Sequence, residues 1–136
     1  MVSHQRAERR SFLVSALAMA GVGTLPWSRS GTTAEPAAQL LALFRTPEAA
    51  LEVGRRYLAG RGTGDSTAGL VARLERDAEI MAALQDHHRE RLRAAIGRRI
   101  DADLAAARVA RIDGWIVATT EAEVCAVCAL GAAGHT

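Results

Sequence analysis

The chain contains 136 residues, which is enough for one domain, and its 17 basic and 15 acidic side chains give a formal net charge of +2 at pH 7. Four of the basic residues and one acid lie before residue 35, so the rest of the chain carries 13 arginines and 14 acids, a net charge of −1. This balance excludes the strongly basic surface that nucleic-acid-binding domains use. Only 4% of the residues are aromatic, so the core must be built from aliphatic side chains.

The N-terminal region has the features of an export leader. Basic residues precede an apolar run of about 14 residues, at positions 12–25. This run is too short and too rich in alanine and glycine to cross roughly 30 Å of hydrocarbon as a stable anchor. Small residues precede a plausible cleavage point between Ala34 and Glu35. We therefore expect a signal peptide over residues 1–34 and a mature helical domain over residues 35–136.

The arginine pair of the leader lies in a recognisable motif, which resembles the twin-arginine translocation motif. The matching residues are Arg9, Arg10, Phe12 and Leu13. Two flanking positions depart from the pattern, where Glu8 replaces the usual Ser or Thr and Val14 replaces the frequent Lys. The resemblance implies recognition by the twin-arginine (Tat) translocase, export to the periplasm or the outside, and only transient membrane contact through the leader. The alternatives are an uncleaved leader that stays as an anchor and an ordinary N-terminal helix.

The first part of the mature chain predicts two helices. Residues 36–44 place leucines and a phenylalanine on one side of a short helix. The sequence Thr-Pro-Glu at residues 46–48 is typical of a helix start, with the threonine as N-cap. This second helix should run to about Leu58, with Gly60 at its C-cap. Residues 61–66 are rich in glycine and predict a loop.

Residues 67–109 carry two apolar stripes with helical spacing. The stripes consist of Leu70, Leu74, Ala78, Met81 and Leu84, followed by Leu92, Ala95, Ile96, Ile100, Leu104 and Ala107. We expect two helices or one kinked helix here, with Asp86 as the N-cap of the second part. The arginines between residues 89 and 99 alternate with acids, which indicates a solvated face with ion pairs.

Two adjacent histidines at the centre of this segment raise the question of a metal site. His87 and Glu90 share a helix face at i,i+3, but two ligands do not complete a metal site. We therefore interpret His87 and His88 as residues at the boundary of the core. No pattern in the chain predicts a metal ligand set, a bound cofactor or a catalytic constellation.

The C-terminal segment predicts a turn, an extended stretch and a last helix. Asp113-Gly114 is a turn signal, and residues 112–117 contain a short extended stretch. Thr120 and Glu123 have the spacing of a capping box at the start of the helix. Its expected buried face consists of Val124, Val127, Cys128 and Leu130. The fold is therefore expected to be all-α, a small bundle of four to five helices with one short extended segment.

The only two cysteines form a Cys125-Ala-Val-Cys128 pair, for which three interpretations compete. As i,i+3 neighbours on one helix face, both could pack as small apolar residues. Export to an oxidising compartment would permit a disulfide or a redox pair, although Cys125 lies inside the helix rather than at its N-terminus, where a reactive thiol is favoured. Ligation of a metal or cofactor would need more ligands, and only His135 lies near.

The C-terminal segment also resembles a known family. Asp-Gly-Trp at residues 113–115, Thr-Glu-Ala at 120–122 and Val-Cys-Ala-Leu at 127–130 are similar to the endings of small accessory subunits of membrane-associated sugar, polyol and gluconate dehydrogenases. The resemblance implies a non-catalytic subunit that assists export or stability of a flavin-bearing oxidoreductase subunit. Such a subunit should leave an apolar patch uncovered, around Trp115 and the last helix, as the partner contact. The alternatives are a small thiol redox or metal-binding protein that uses the cysteine pair, and a stand-alone structural protein.

Overall fold

A computed structural model describes residues 34–61 and 66–134. Within these ranges the elements are α1 (Ala34–Leu41), α2 (Pro47–Arg61), α3 (Thr67–Glu75), α4 (Ala78–Gln85), α5 (Arg89–Ala105), β1 (Val109–Ile112), β2 (Trp115–Ala118) and α6 (Thr119–Ala133). No helix in these ranges is both long enough and apolar enough to cross a membrane. The twin-arginine motif, residues 62–65 of the predicted loop, and His135 lie outside the described residues.

The mainly helical fold is confirmed, but the described residues form six helices, one more than the largest number expected. The additional break lies at Asp77, so the segment of residues 67–109 contains three helices rather than one or two. The Asp77 carboxylate accepts hydrogen bonds from the backbone N–H groups of Glu79 at 3.0 Å and Ile80 at 3.2 Å. It thereby satisfies amides that have no partner within the helix and begins α4.

The boundary expected near residues 85–88 exists, but Asp86 is not the N-cap of the helix that follows. Asp86 is the C-cap of α4, and His88 caps α5, where its Nδ1 accepts a hydrogen bond from the backbone N–H of Arg91 at 3.2 Å. The Asp86 side chain instead pairs with the Arg91 guanidinium at 2.9 Å. Further exposed pairs join Arg93 to Glu90 and Arg98 to Glu79. The expected solvated face with ion pairs is confirmed.

The second helix begins where the sequence predicts and ends later. α2 starts at Pro47 but continues past Leu58 to Arg61, so Gly60 lies inside the helix instead of capping it. The buried residues of α2 are Ala50, Gly54 and Tyr57.

The last helix is the centre of the fold. Every residue of α6 from Thr120 to Ala129 is buried, whereas the sequence predicted burial of one face. The helices α1, α2, α3 and α5 all pack against α6. A helix enclosed on all sides has no amphipathic stripe, so periodicity does not identify it. The largest fully buried aliphatic residues are Leu40, Leu43, Leu70, Leu74, Ile80, Leu92, Val124 and Val127.

Two glycines let neighbouring helices approach α6 closely. A Cβ placed on Gly54 of α2 would lie 2.1 Å from the backbone oxygen of Cys125. A Cβ placed on Gly131 of α6 would lie 2.5 Å from the Cβ of Ala37 in α1. Because both distances are far inside van der Waals contact, these helices pack closer than any side chain at either glycine would permit.

The strands β1 and β2 form an antiparallel hairpin where a single extended stretch was expected. The predicted Asp113-Gly114 turn is confirmed. Both turn residues have positive φ, 48° at Asp113 and 83° at Gly114, as a two-residue type I′ turn requires. The register pairs Ile112 with Trp115 across the turn.

Candidate functional site

The hairpin holds one large aromatic side chain in solvent. Trp115 exposes 67% of its surface, although its cross-strand partner Ile112 is buried. The turn is joined to α2 by an ion pair, in which Nη1 of Arg56 lies 2.7 Å from Oδ2 of Asp113. The side chain of Trp115 is therefore exposed, while the turn next to it is joined to α2 by the ion pair of Arg56 and Asp113. Tryptophan combines a large apolar area with few rotatable bonds, which makes it a common anchor in protein interfaces.

Two of the three exposed large apolar side chains of the described residues, Trp115 and Val109, lie on the hairpin. Val109 of β1 is 41% exposed, and among the described residues the other large apolar side chain of similar exposure is Met81 on α4. By contrast, α6 is buried from Thr120 to Ala129. The expectation that the last helix contributes to an uncovered surface is therefore wrong, because four helices enclose it.

A residue from another helix caps the N-terminal end of α6. The Asp103 carboxylate of α5 accepts hydrogen bonds from the backbone N–H of Thr120 at 2.7 Å, from its hydroxyl at 2.6 Å and from Nε of Arg108 at 2.9 Å. The N-cap residue itself is Ala118, which has no side-chain cap. The predicted capping box is wrong, because the Thr120 hydroxyl donates to Asp103 and Glu123 pairs with a different helix.

Asp103 stays charged although it is buried. Burial raises the pKa of this carboxyl, but the hydrogen bonds from the side chain and backbone of Thr120, followed by that from Arg108, outweigh burial and leave the pKa of Asp103 below its ordinary value. The helix dipole at the N-terminus of α6 also favours a negative charge there. Since the donors around Asp103 are the groups that position α6, we interpret this network as a structural joint between α5 and α6.

The helix α6 also carries two buried carboxylates. Glu123 is 6% exposed, and its Oε1 lies 3.1 Å from Nε of Arg73 on α3. The backbone oxygen of Arg73 accepts a hydrogen bond from Arg99 of α5 at 3.4 Å. Arg73 of α3 therefore joins α6, through Glu123, to α5, through Arg99. Glu121 is 3% exposed on the same helix. Removing one partner of a buried ion pair is costly because the other charge stays buried.

The cysteines are core residues. Cys125 and Cys128 are 0% and 1% exposed and are not bonded to each other. Burial raises the pKa of Cys125 well above its ordinary value, with smaller contributions from Cys128 and Glu121, and burial raises the pKa of Cys128 to about 12. Because the thiolate is the nucleophile and the metal ligand, both sulfurs are inert in the folded protein. The geometry favours the first of the three interpretations, small apolar residues in the core.

The histidines have structural contacts, but both are exposed, so their expected position at the boundary of the core is wrong. His87 Nε2 lies 3.3 Å from Oε1 of Glu35, with both side chains exposed, and His88 caps α5. Within residues 34–61 and 66–134, no three His, Cys, Asp or Glu side chains come close enough to hold a metal ion. His87 precedes the N-cap of α5 and has a φ of 52°, so the expected helix face shared with Glu90 does not form, and the two residues gain no third ligand from the described residues.

The predicted cleavage point lies at the start of α1. Ala34 is partly buried, Glu35 is exposed, and Ala37 is the first buried residue of the described chain. A cut between Ala34 and Glu35 would therefore leave the described core intact. The export-signal residues Arg9, Arg10, Phe12 and Leu13 lie outside the described residues.

Sequence reasoning missed Asp103, although a signal was present. Asp103 lies three residues after Ile100 and seven after Ile96, on the apolar stripe of α5. A carboxylate on the apolar stripe of a helix is buried together with that stripe, and a buried carboxylate needs hydrogen-bond donors. This pattern indicates a partner on a neighbouring element.

Comparison of the chain with protein-family models, with curated proteins and with solved structures finds no match. The function must therefore be inferred from the residues and their contacts.

Proposed function

We propose that this chain is an exported, non-catalytic accessory subunit that binds an oxidoreductase catalytic subunit and assists its export or stability. The observation that carries the proposal is the exposed Trp115 on a hairpin that Arg56 joins to α2. Covering a large aromatic side chain contributes about 2–3 kcal/mol to binding. The resemblance of the C-terminal segment to dehydrogenase accessory subunits supports this class of partner.

We also propose that the leader directs the chain to the Tat translocase, with cleavage after Ala34 and release into the periplasm or the outside. Twin-arginine export carries folded cargo, so one leader can serve a bound partner that has none. The exposed position of Glu35 supports the proposed cleavage, because a protease can reach the first turn of α1 without opening the core.

The two alternatives agree less well with the geometry. A thiol redox or metal-binding protein needs an accessible sulfur of lowered pKa, whereas both thiols are buried with raised pKa values. A stand-alone structural protein would leave the exposure of Trp115 unexplained.

Affinity purification from the exported fraction of the native host tests the proposal. The tagged wild-type chain should recover a leaderless oxidoreductase in stoichiometric amount, identified by mass spectrometry. Trp115→Ala should reduce this recovery roughly tenfold or more, as expected for an interface anchor, while lowering the free energy of unfolding by less than about 1 kcal/mol. Met81→Ala removes another exposed apolar side chain, on α4, and serves as the matched control with unchanged recovery.

Two outcomes would contradict the proposal. Recovery of the wild-type chain alone would contradict the proposed oxidoreductase partner. Equal recovery of the oxidoreductase with Trp115→Ala and Met81→Ala would show that the hairpin is not the contact surface.

A further inference from the structure

The two unbonded thiols lie where the fold is most tightly packed. The backbone oxygen of Cys125 is the atom that a Cβ on Gly54 would meet at 2.1 Å. The sulfur of Cys128 lies 3.9 Å from the backbone oxygen of Ala37. Thus α2 lies directly against the backbone at Cys125, and α1 lies against the side chain of Cys128. This part of α6 cannot change shape without moving both neighbouring helices.

A disulfide between the two cysteines does not fit this helix. Side chains three residues apart on a helix have Cβ atoms about 5–6 Å apart. A disulfide requires a Cβ–Cβ distance of about 3.5–4.5 Å. Closing that gap would bend the backbone between Cys125 and Cys128, and the close contact with Gly54 leaves no space for the movement.

We propose that the domain folds only while Cys125 and Cys128 are free thiols. It must therefore fold before it meets an oxidising environment. In the unfolded chain both sulfurs are accessible and close in sequence. A disulfide of an oxidising protein or of oxidised glutathione can then react with them by thiol–disulfide exchange. The two thiols lose two protons and two electrons as their S–S bond forms, and the oxidant's disulfide is reduced to two thiols.

Folding protects the pair from the same oxidant. A thiol of ordinary pKa is about 3% ionised at pH 7. Burial raises the pKa of Cys128 to about 12, so at pH 7 the folded protein holds far less Cys128 thiolate than the unfolded chain. Because Cys125 and Cys128 are also at most 1% exposed, an oxidant cannot approach either sulfur without unfolding of the core.

This inference rests on the proposed export for its biological consequence. A translocase that carries folded cargo delivers the thiols to an oxidising compartment already buried. A route that carries unfolded chains would expose the same thiols to oxidation before the core could close. The buried pair thus gives a physical reason for a twin-arginine leader on so small a domain.

Refolding of the full chain with two orders of addition tests the inference. The protein is unfolded in urea and refolded by dilution, with oxidised glutathione added either before dilution or after folding is complete. Oxidant added after folding should leave both thiols free, as counted by mass and by titration after unfolding. Oxidant added before dilution should give a chain that lacks two hydrogens and should abolish most recovery of the native circular dichroism signal. The double variant Cys125→Ala, Cys128→Ala should refold equally well in both orders.

A disulfide-bonded chain with native circular dichroism and cooperative unfolding would overturn the inference, and so would rapid oxidation of the folded protein. The comparison of the two orders of oxidant addition uses only the wild-type chain. It therefore tests the inference even if the double variant fails to fold. The partner and the leader take no part in this experiment. Failure of the proposed function would therefore leave its result unchanged.

Discussion

Trp115 of the hairpin and the buried residues of α6 are close in the chain and opposite in exposure. Trp115 is 67% exposed, whereas Glu121 and Glu123, a few residues later, are 3% and 6% exposed. From residue type alone, the tryptophan would be expected to be buried and the two glutamates to be exposed. The difference shows that position in the fold decides exposure here: four helices enclose α6, while the hairpin projects Trp115 beyond the core. The enclosed helix belongs to the core, and the exposed Trp115 of the hairpin is the side chain that we propose as the partner contact.

The largest expected change in the free energy of unfolding comes from a substitution that forces α2 away from α6. Gly54→Ala places a Cβ 2.1 Å from the backbone oxygen of Cys125, an atom that cannot move without shifting the helix. We expect the free energy of unfolding, measured by urea denaturation, to fall by about 3 kcal/mol or more. Gly60→Ala is the matched control on the same helix, where a Cβ meets nothing within 4 Å, and should stabilise by about 0.5–1 kcal/mol. Equal stability of the two variants would contradict the close approach of α2 to α6.

A smaller loss of stability is expected from a substitution at the joint between α5 and α6. Asp103→Asn keeps the size of the side chain but removes the charge that accepts hydrogen bonds from Thr120 and Arg108. We expect a loss of about 1–3 kcal/mol at pH 7, measured by urea denaturation. Asp86→Asn disrupts an exposed ion pair with Arg91 and should cost less than about 1 kcal/mol.

The same variant should change the acid dependence of stability. The pKa of Asp103 is lower in the folded protein than in the unfolded chain, where an aspartate titrates near about 3.9. Its contribution is therefore complete above that unfolded value and is lost as the pH falls through the folded pKa. We expect the stability of Asp103→Asn to decline less steeply than that of the wild type below about pH 4. Parallel acid profiles of the two proteins would show that Asp103 is not held as a buried carboxylate.

Local signals in the sequence were sufficient for much of the fold. The spacing of Leu70 and Leu74 and of Leu92 and Ile96 identified buried stripes on α3 and α5. The turn at residues 113–114 was also predicted, because Asp-Gly favours the positive φ values that a type I′ turn needs. The first strand was missed because Val109–Ile112 does not alternate between apolar and polar residues, so its sequence carries no strand period.

Other features depend on tertiary contacts that no local pattern contains. The end of α5 is marked by Ala107 at a φ of 56°, where glycine or asparagine is the usual signal and alanine gives none. The burial of Glu123 depends on Arg73, 50 residues earlier, and the position of Gly54 is decided by α6. For the candidate site, the sequence predicted that Trp115 is exposed, which the structure confirms, but it assigned part of the uncovered surface to the enclosed last helix.

The most direct test of the contrast between α6 and the hairpin is hydrogen exchange of the protein, alone and bound to the oxidoreductase that we propose as its partner. We expect the backbone amides of residues 120–129 to exchange most slowly in both states, because exposing them requires opening of the core. The amides of residues 109–118, some of which already donate hydrogen bonds across the hairpin, should become more strongly protected when the partner is bound. Protection that appears elsewhere, with no change in the hairpin on binding, would contradict its role as the partner-binding surface.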